Sequence, residues 1–562
     1  MADTGTNTIV WDLVIPTPRS CRRKTGEFVL PEELRVWCGH GALLPTVRTV
    51  LASIRRILER SPRTGEHPRR WSLVENRDDA HVYVTSSGDR SHGADLSDAH
   101  ELCVEQNVIR ISAVSTAGVA GALATLFQAT LQATFPATVV PETHQPTPAP
   151  GTHRAPYLPA VEIVDHPEHQ WRGFMFDVAR HFFPSDSLDQ LLDILWLLKL
   201  NRYQLHLTDD QGWRVPIEGY PRLTVIGSVR DDGTSENGTC GGYYSRDELD
   251  QLDRTAAHLG IEVIPEIDLP GHASAAITAY PELGCTGRAP GVATRWGIFD
   301  AVLCPVGTAT ERFIDHVFGS VSELFRGDHL HIGGDEVRTS TWHESGLCRE
   351  FIREHGPSRG LAGVDDLYGV VVRSMVETVL SRGKRPIAWD EASELDLPGE
   401  TIIANWREPA YAAAALQRGH DIVLVPQGRR AYLDHKHRDT SLEAGRLGVC
   451  TVRDSASFEP NRYVREAVYA EPDGSRAGGG RGDTVVSAGR VLGGQANLWT
   501  EAIAFHSQAE YMAILRVAAI SQGLWSGDPG NDRWDTGFRH ALERFRTMMF
   551  SRGYNVYPGP LE

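Results

Sequence analysis

No run in these 562 residues approaches the ~20 consecutive apolar residues that a membrane-spanning helix needs. Cysteine is thin: eight are scattered along the chain without a Cys-x-x-Cys, so they do not make a disulfide framework. Cys285 and Cys304 could still bridge one loop, which would favour an oxidising compartment. An excess of positive charge is missing too. The formal net charge is -17 and the pI is near 5.7, which argues against nucleic acid or an anionic membrane surface as partner and suits a neutral or cationic ligand. Neither His-x-x-Glu-His nor His-Glu-x-x-His occurs, nor does the Gly-Lys-Ser/Thr ending of a phosphate loop. No metal or other cofactor is expected. The opening MADTGTNTIVWDLVIPTPRS lacks a basic region followed by an apolar stretch. The chain as written is therefore expected to be cytoplasmic, with secretion as the alternative.

What is present describes a soluble globular protein, 41% apolar and 23% charged, and too long for one ordinary core. Two domains are expected. Residues 1–155 mix strands (VWDLVIPTP, FVLPEELRVWC, AHVYVTSS) with helical spacing (LLPTVRTVLASIRRILERS, STAGVAGALATLFQATLQ), which reads as a small α+β domain. The Thr/Pro/His-rich run Val140 to Pro159 reads as a linker. From Gln170 onward, strand and helix patterns alternate. GFMFDVAR, RYQLHLTDD, IEVIPEIDLPGH, HLHIGGDE, RPIAWDE, TIIANW, DIVLVPQ and VLGGQANLW are the strands, and eight strands with crossovers over 156–562 fit a (β/α)8 TIM barrel. EPDGSRAGGGRGD, between the seventh and eighth strands, reads as a flexible surface insertion.

The stretch His329 to Arg338 stands out. An alternating apolar run ends in Gly333-Gly334 and then in Asp335-Glu336. Adjacent side chains on a regular strand point to opposite faces, so both carboxyls can address one ligand only if the chain bends, and two glycines make that bend cheap. Crowded carboxyls repel, leaving one protonated and one anionic, the pairing that cleavage of an acetal requires. Unusual polar residues recur at the ends of the other predicted strands: Asp177 and Arg180, Asp209 and Asp210, Asp268 and His272, Trp389 and Asp390, Trp406, Trp499 and Glu501. In a barrel those ends converge on one face, where active sites are built.

The ordered motifs WRGFMFDVARHFF, LHLTDDQGWR, PEIDLPGHA, HIGGDE, AWDE, YLD and GGQANLWTE resemble the family 20 glycoside hydrolases, the β-N-acetylhexosaminidases, over nearly the whole chain. The resemblance implies a retaining, exo-acting enzyme that releases a terminal β-linked N-acetylglucosamine or N-acetylgalactosamine. Glu336 would be the general acid, and Asp335 would steer the 2-acetamido group whose oxygen attacks the anomeric carbon. The intermediate would be an oxazolinium on the sugar rather than a bond to protein. Arg180 and Glu501 would hold ring hydroxyls; Trp389, Trp406 and Trp499 would wall the pocket; Tyr432 would donate to the acetamido carbonyl and Asp434 bind a hydroxyl. Asp209 and His272 would tune Glu336. Cys285 and Cys304 match a disulfide-bearing loop of bacterial members. Two departures stand out: Ser521 where members often carry Glu, and ASFEPNRYV in place of a Trp-containing stretch that bears on what lies beyond the first sugar.

Three rivals remain at this level. His329 and His331 share a strand face and suggest a metal hydrolase; the fold alone would suit a sugar-binding protein without chemistry; and a retaining glycosidase with a protein nucleophile would also use two carboxylates.

Overall fold

Eight short parallel strands close into a barrel, in the order Trp171–Asp177, Arg202–His206, Glu262–Glu266, His329–His331, Arg385–Trp389, Ile402–Asn405, Ile422–Leu424 and Val491–Leu498, the last pairing back to the first. The structure, a computed structural model, describes residues 10–60, 69–87, 97–134, 155–231, 239–428, 430–434, 445, 448–468, 489–527 and 533–561. Every residue of Trp171–Asp177 is buried, as expected for a strand covered on both faces. Helices Ser185–Leu197, Arg246–His258, Thr308–Leu324, Leu367–Ser381, Pro409–Gln417 and His506–Ser526 form the outer ring, in line with the alternation expected from Gln170 onward. Arg246–His258 starts at a capping box, with Ser245 Oγ accepting from Glu248 N–H at 3.2 Å and Ser245 N–H donating back to the Glu248 carboxylate at 2.8 Å. Between the fifth and sixth strands there is only the 3-10 turn Asp390–Glu394.

The first unit is a seven-stranded mixed sheet ordered Ser20–Val29, Tyr157–Asp165, His100–Glu105, Val108–Ala113, Val82–Ser86, Glu33–Cys38, Arg70–Leu73. Tyr157–Asp165 pairs with strands on both sides, so this unit extends past the boundary expected at 155/156. The expected strand over VWDLVIPTP is instead the 3-10 turn Val10–Leu13. Its continuation needs no ladder, because the Gln128 side chain accepts from Ile15 N–H (3.0 Å) and donates to Ile15 C=O (2.6 Å), and Pro16 has no N–H. FVLPEELRVWC is two strands broken at Pro31 rather than one. Residues 140–154 of the expected linker, and the Gly/Arg-rich insertion at 471–483, lie outside the described residues.

Helix Thr116–Thr134 is buried almost all round, as a helix wedged between two layers must be. Trp196 Nε1 donates to Ala120 C=O (3.0 Å) and Gln128 Nε2 to Leu197 C=O (2.8 Å), fastening it to the first barrel helix. Beside it, Lys199 Nζ meets Asp165 at 2.8 Å, Trp525 Nε1 donates to the same carboxylate at 2.9 Å, and Arg172 pairs with Asp98.

Candidate active site

The fourth barrel strand ends at His331, and the next five residues turn sharply at the carboxyl-end face. Gly333 has φ +73° and Gly334 φ +103°, a conformation a side chain strongly disfavours. A Cβ on Gly333 would lie 1.8 Å from Asp268 Oδ1, so that glycine is required by space as well as by backbone. The turn is pinned from its neighbours: Trp389 N–H donates to Gly333 C=O (3.0 Å), Tyr368 O–H to Gly334 C=O (2.7 Å) and Gly334 N–H to Asp268 Oδ1 (3.1 Å). Glu336 itself has φ +52° and His272 φ +47°, two of the three non-glycine residues with positive φ among the described residues. Left-handed non-glycine backbone costs about 1–3 kcal/mol and persists where surrounding structure enforces it, as at binding sites.

His272 ties the acid pair to the neighbouring strands. Its Nε2 stands 3.7 Å from Asp335 and 3.6 Å from Glu336, while Nδ1 faces Asp209 at 3.3 Å and Asp210 at 3.2 Å. Burial opposes charge on this ring, yet Asp209, Asp268 and Asp335 hold its pKa well above the ordinary value, so it is an imidazolium. Asp335 is shifted far upward by burial, by Asp268 and by Glu336, against the pull of His272. Asp268 rises to about 7, first through burial. The crowding inferred from the sequence is therefore real, with Asp268 as a third carboxyl in it. Asp335 Oδ1 is buried without a hydrogen-bond partner.

Beneath this cluster runs a polar column inside the barrel. Trp171 Nε1 donates to Gln495 (3.3 Å), Gln495 to Gln204 (2.8 Å), Gln204 to Glu266 (2.7 Å), and His206 bridges Glu266 and Asp209 at 2.9 Å on each nitrogen. Arg180 then pairs with Asp209 (2.8 Å) and Asp177 (3.3 Å), and its Nε donates to Gln211 (3.2 Å). Burial works against its charge, but Asp209, Asp177 and Glu501 keep it firmly cationic.

Aromatic residues wall the same face. Trp389 and Trp499 have ring centres 6.0 Å apart, Tyr432 lies 6.1 Å from Trp499, and Trp406 stacks on Tyr432 at 6.5 Å and 12°. Trp389 is anchored by Nε1 donating to Glu266 (2.9 Å), whereas Trp499 Nε1 is buried without a partner. Arg180 lies 4.9 Å over the Trp499 ring. Glu501 and Asp434 are buried, Asp434 two residues beyond Tyr432 on a segment that pairs in parallel with Asn497.

Asp209, His272, Asp335, Glu336, Arg180, Trp389, Trp406, Tyr432 and Trp499 are thus linked in one contact network. Asp390 is not part of its inner surface. It accepts from Arg407 Nε (2.9 Å) and Asn405, and braces the sixth loop. The next residue, Glu391, faces the site: it takes Trp406 Nε1–H at 3.1 Å, and burial, then Asp335, lift its pKa to about 8. Glu391, Tyr368, Gln211, His206 and Glu266 were missed as site residues. All but Tyr368 lie inside the quoted motifs or next to a chosen residue, but strand-interior polar groups and a second acid after Asp390 carry no distinctive spacing.

The rival metal pair separates. His329 Nδ1 faces Glu262 at 3.0 Å, whereas His331 Nδ1 accepts from Gly333 N–H at 3.0 Å and its pKa falls to about 4 through burial. Three groups near the site bring His, Asp and Glu atoms within 4.8 Å of one another: His206, Glu266 and Asp268; Asp209, Asp210 and His272; Asp268, His272 and Asp335. Each depends on His206 or His272, whose two ring nitrogens both face carboxylates within the network described above. Ser521 donates to Ala518 C=O within its helix (2.8 Å), and Glu459 of ASFEPNRYV meets His169 at 2.8 Å below the first barrel strand, away from the mouth.

Residues 169–528 match the model of the glycosyl hydrolase family 20 catalytic domain, and 13–166 that of its domain 2. A β-N-acetylhexosaminidase of Cellulomonas fimi is 32% identical over 78% of this chain and 76% of its own length. A β-hexosaminidase of Porphyromonas gingivalis is 34% identical over 66% of this chain but only 44% of its own length, so the chain spans less than half of that relative. The crystal structure of the Vibrio harveyi exo-β-N-acetylglucosaminidase, in complex with N-acetylglucosamine, superposes with a TM-score of 0.77 at 25% identity, covering 98% of this chain and 78% of that one.

Proposed function

This chain belongs to glycosyl hydrolase family 20, and from that membership and its site geometry we propose that it is a β-N-acetylhexosaminidase acting on terminal β-linked N-acetylglucosamine or N-acetylgalactosamine, with retention and with the substrate's acetamido oxygen as nucleophile. The observation that carries the reading is the turn at 333–336. It presents Asp335 and Glu336 side by side, both 3.6–3.7 Å from His272 Nε2, with a buried, unpaired Asp335 oxygen and an aromatic wall beside them.

In this reading Glu336, the more exposed of the pair, protonates the departing glycosidic oxygen and later deprotonates water. Asp335 accepts the acetamido N–H and, once ionised, stabilises the positive charge growing on that nitrogen. A tethered nucleophile has an effective molarity of about 10⁵–10⁸ M, so the protein's work is orientation. Tyr432, Trp389 and Trp499 would enclose the acetamido group and the sugar face, and Arg180, Asp434 and Glu501 would take hydroxyls. Arg180 and Glu501 supply a donor fork and acceptors, which pair with an axial or an equatorial hydroxyl alike.

The test is hydrolysis of a chromogenic N-acetylglucosaminide beside the matching glucoside. Turnover of the acetamido substrate alone is expected, with inhibition by a thiazoline mimic of the cyclised sugar and no glycosyl adduct on the protein by mass spectrometry. Equal rates on both substrates, or a covalent adduct, would overturn the proposal.

A further inference from the structure

Outside the candidate site, three of the eight cysteines meet at one point. Cys285 Sγ lies 2.7 Å from Cys304 Sγ and 3.6 Å from Cys348 Sγ, and all three sulfurs fall within 4.8 Å of one another. Cys304 and Cys348 are buried, while Cys285 is partly open to solvent. Cys285 and Cys304 stand at the neck of one loop. Cys304 N–H donates to Leu283 C=O at 2.7 Å, and Gly284 and Leu303 form an antiparallel bridge there. Cys348 belongs to another segment, the third residue of helix Gly346–Arg359, with its N–H on the capping Ser345 hydroxyl.

Both segments border the candidate site. The loop between the two neck cysteines contributes Ala293 N–H to Asp210 C=O (2.9 Å) and Arg295 C=O to Gln211 Nε2 (3.0 Å), and exposes Trp296 beside His181. Asp210 faces His272, and Gln211 holds Arg180. The helix bearing Cys348 follows Glu336 by ten residues in the same crossover, whose Ser340 hydroxyl donates to Asp300 of the loop at 2.9 Å.

We propose that Cys304 and Cys348 compete for Cys285, so that the cluster is an exchangeable disulfide clamp with two alternative pairings on the loops beside the candidate site. With a disulfide such as oxidised glutathione as oxidant, two thiols give up two electrons and two protons, forming one protein disulfide and two molecules of reduced glutathione. In the Cys285–Cys304 form the loop is closed on itself. The Cys348 thiolate then attacks Cys285 Sγ; the Cys348–Cys285 bond forms, the Cys285–Cys304 bond breaks, and its electron pair leaves on Cys304, which takes up a proton. The loop is now tied to the crossover that carries Asp335 and Glu336. Cys348 stands at the N-terminus of its helix with its sulfur 3.6 Å from Cys285 Sγ, within reach of the sulfur it would attack. The sulfur chemistry stands on the cluster alone; its bearing on substrate access rests on the function proposed above.

The experiment uses the full chain and three single variants, Cys285→Ser, Cys304→Ser and Cys348→Ser, equilibrated in glutathione buffers, quenched with iodoacetamide and mapped by mass spectrometry of non-reduced peptides. Circular dichroism confirms that each is folded. Cys304→Ser should yield the Cys285–Cys348 peptide, Cys348→Ser the Cys285–Cys304 peptide, and the unaltered chain both. A folded Cys304→Ser variant that gives only glutathione adducts or free thiols at 285 and 348 would overturn the proposal. So would one zinc ion held tightly by the reduced chain and lost in all three variants.

Discussion

In the proposed mechanism Asp335 acts as an anion, and its surroundings oppose that charge. Burial, Asp268 and Glu336 hold its carboxyl far above the ordinary range. kcat/KM reports ionisations of the free enzyme, so its acidic limb should lie above the pH at which a solvated Asp titrates. Asp335→Asn should lower kcat/KM on an N-acetylhexosaminide by about 10²- to 10³-fold, the loss typical of removing one preorganised charge-stabilising group, and should remove that limb. A variant with unchanged kcat/KM would exclude the role. Glu391 offers a cleaner reading of linkage. Folded, it titrates near 8; unfolded, near 4.5. The native state thus keeps a proton that the unfolded chain releases, so its stabilising share is complete below about pH 4.5 and is lost as pH rises through about 8. Differences between melting curves of Glu391→Gln and the unaltered protein cancel the groups that do not touch Glu391, and the variant's relative Tm should climb from pH 5 to pH 8. Parallel curves would refute the assignment.

At the scale of elements, the decisive one is the five-residue turn after the fourth strand. Its sequence announced a bend, because two glycines before two acids have few other uses, and the barrel strands on either side were legible from their apolar runs and spacing. What holds the bend was not legible: Tyr368 lies in a helix 34 residues from its acceptor, and Asp268 is on the preceding strand's loop. Tyr368→Phe should cost about 1 kcal/mol of stability, the usual net value of one hydrogen bond, and lower kcat more than it raises KM, because the turn aims chemistry rather than binding. Gly333→Ala, with Asp268 Oδ1 where its methyl would go, should be more damaging to activity and to Tm than Tyr368→Phe; the reverse ranking in thermal unfolding and kcat would mean the turn tolerates reshaping.

Over the whole molecule, the first unit and the barrel are joined through buried charge. Lys199 and Asp165 form a fully buried pair with Trp525 Nε1 on the same carboxylate, and His100 lies 3.7 Å from it. Removing one partner of such a pair costs about 3–5 kcal/mol, since the other charge stays buried. Lys199→Met should therefore lower the denaturant midpoint of both units together, although it lies far from the acids; separate transitions, or no shift, would show that the units are not coupled here.

The sequence by itself determined the barrel, the presence of an α+β unit before it, and most of the groups that the structure brings together at the carboxyl-end face. Apolar periodicity, glycine placement and acidic or aromatic residues at strand ends are local properties of the chain. It misjudged the strand over VWDLVIPTP and the boundary at 155/156, because Gln128 and two distant strands supply the hydrogen bonds there. Only the tertiary structure decided which acids crowd around His272, that Glu391 rather than Asp390 faces the site, that His331 is packed instead of ligating, and that Cys348 joins Cys285 and Cys304. Those outcomes depend on burial and on distances between residues remote in sequence, and both come into being only when the barrel closes.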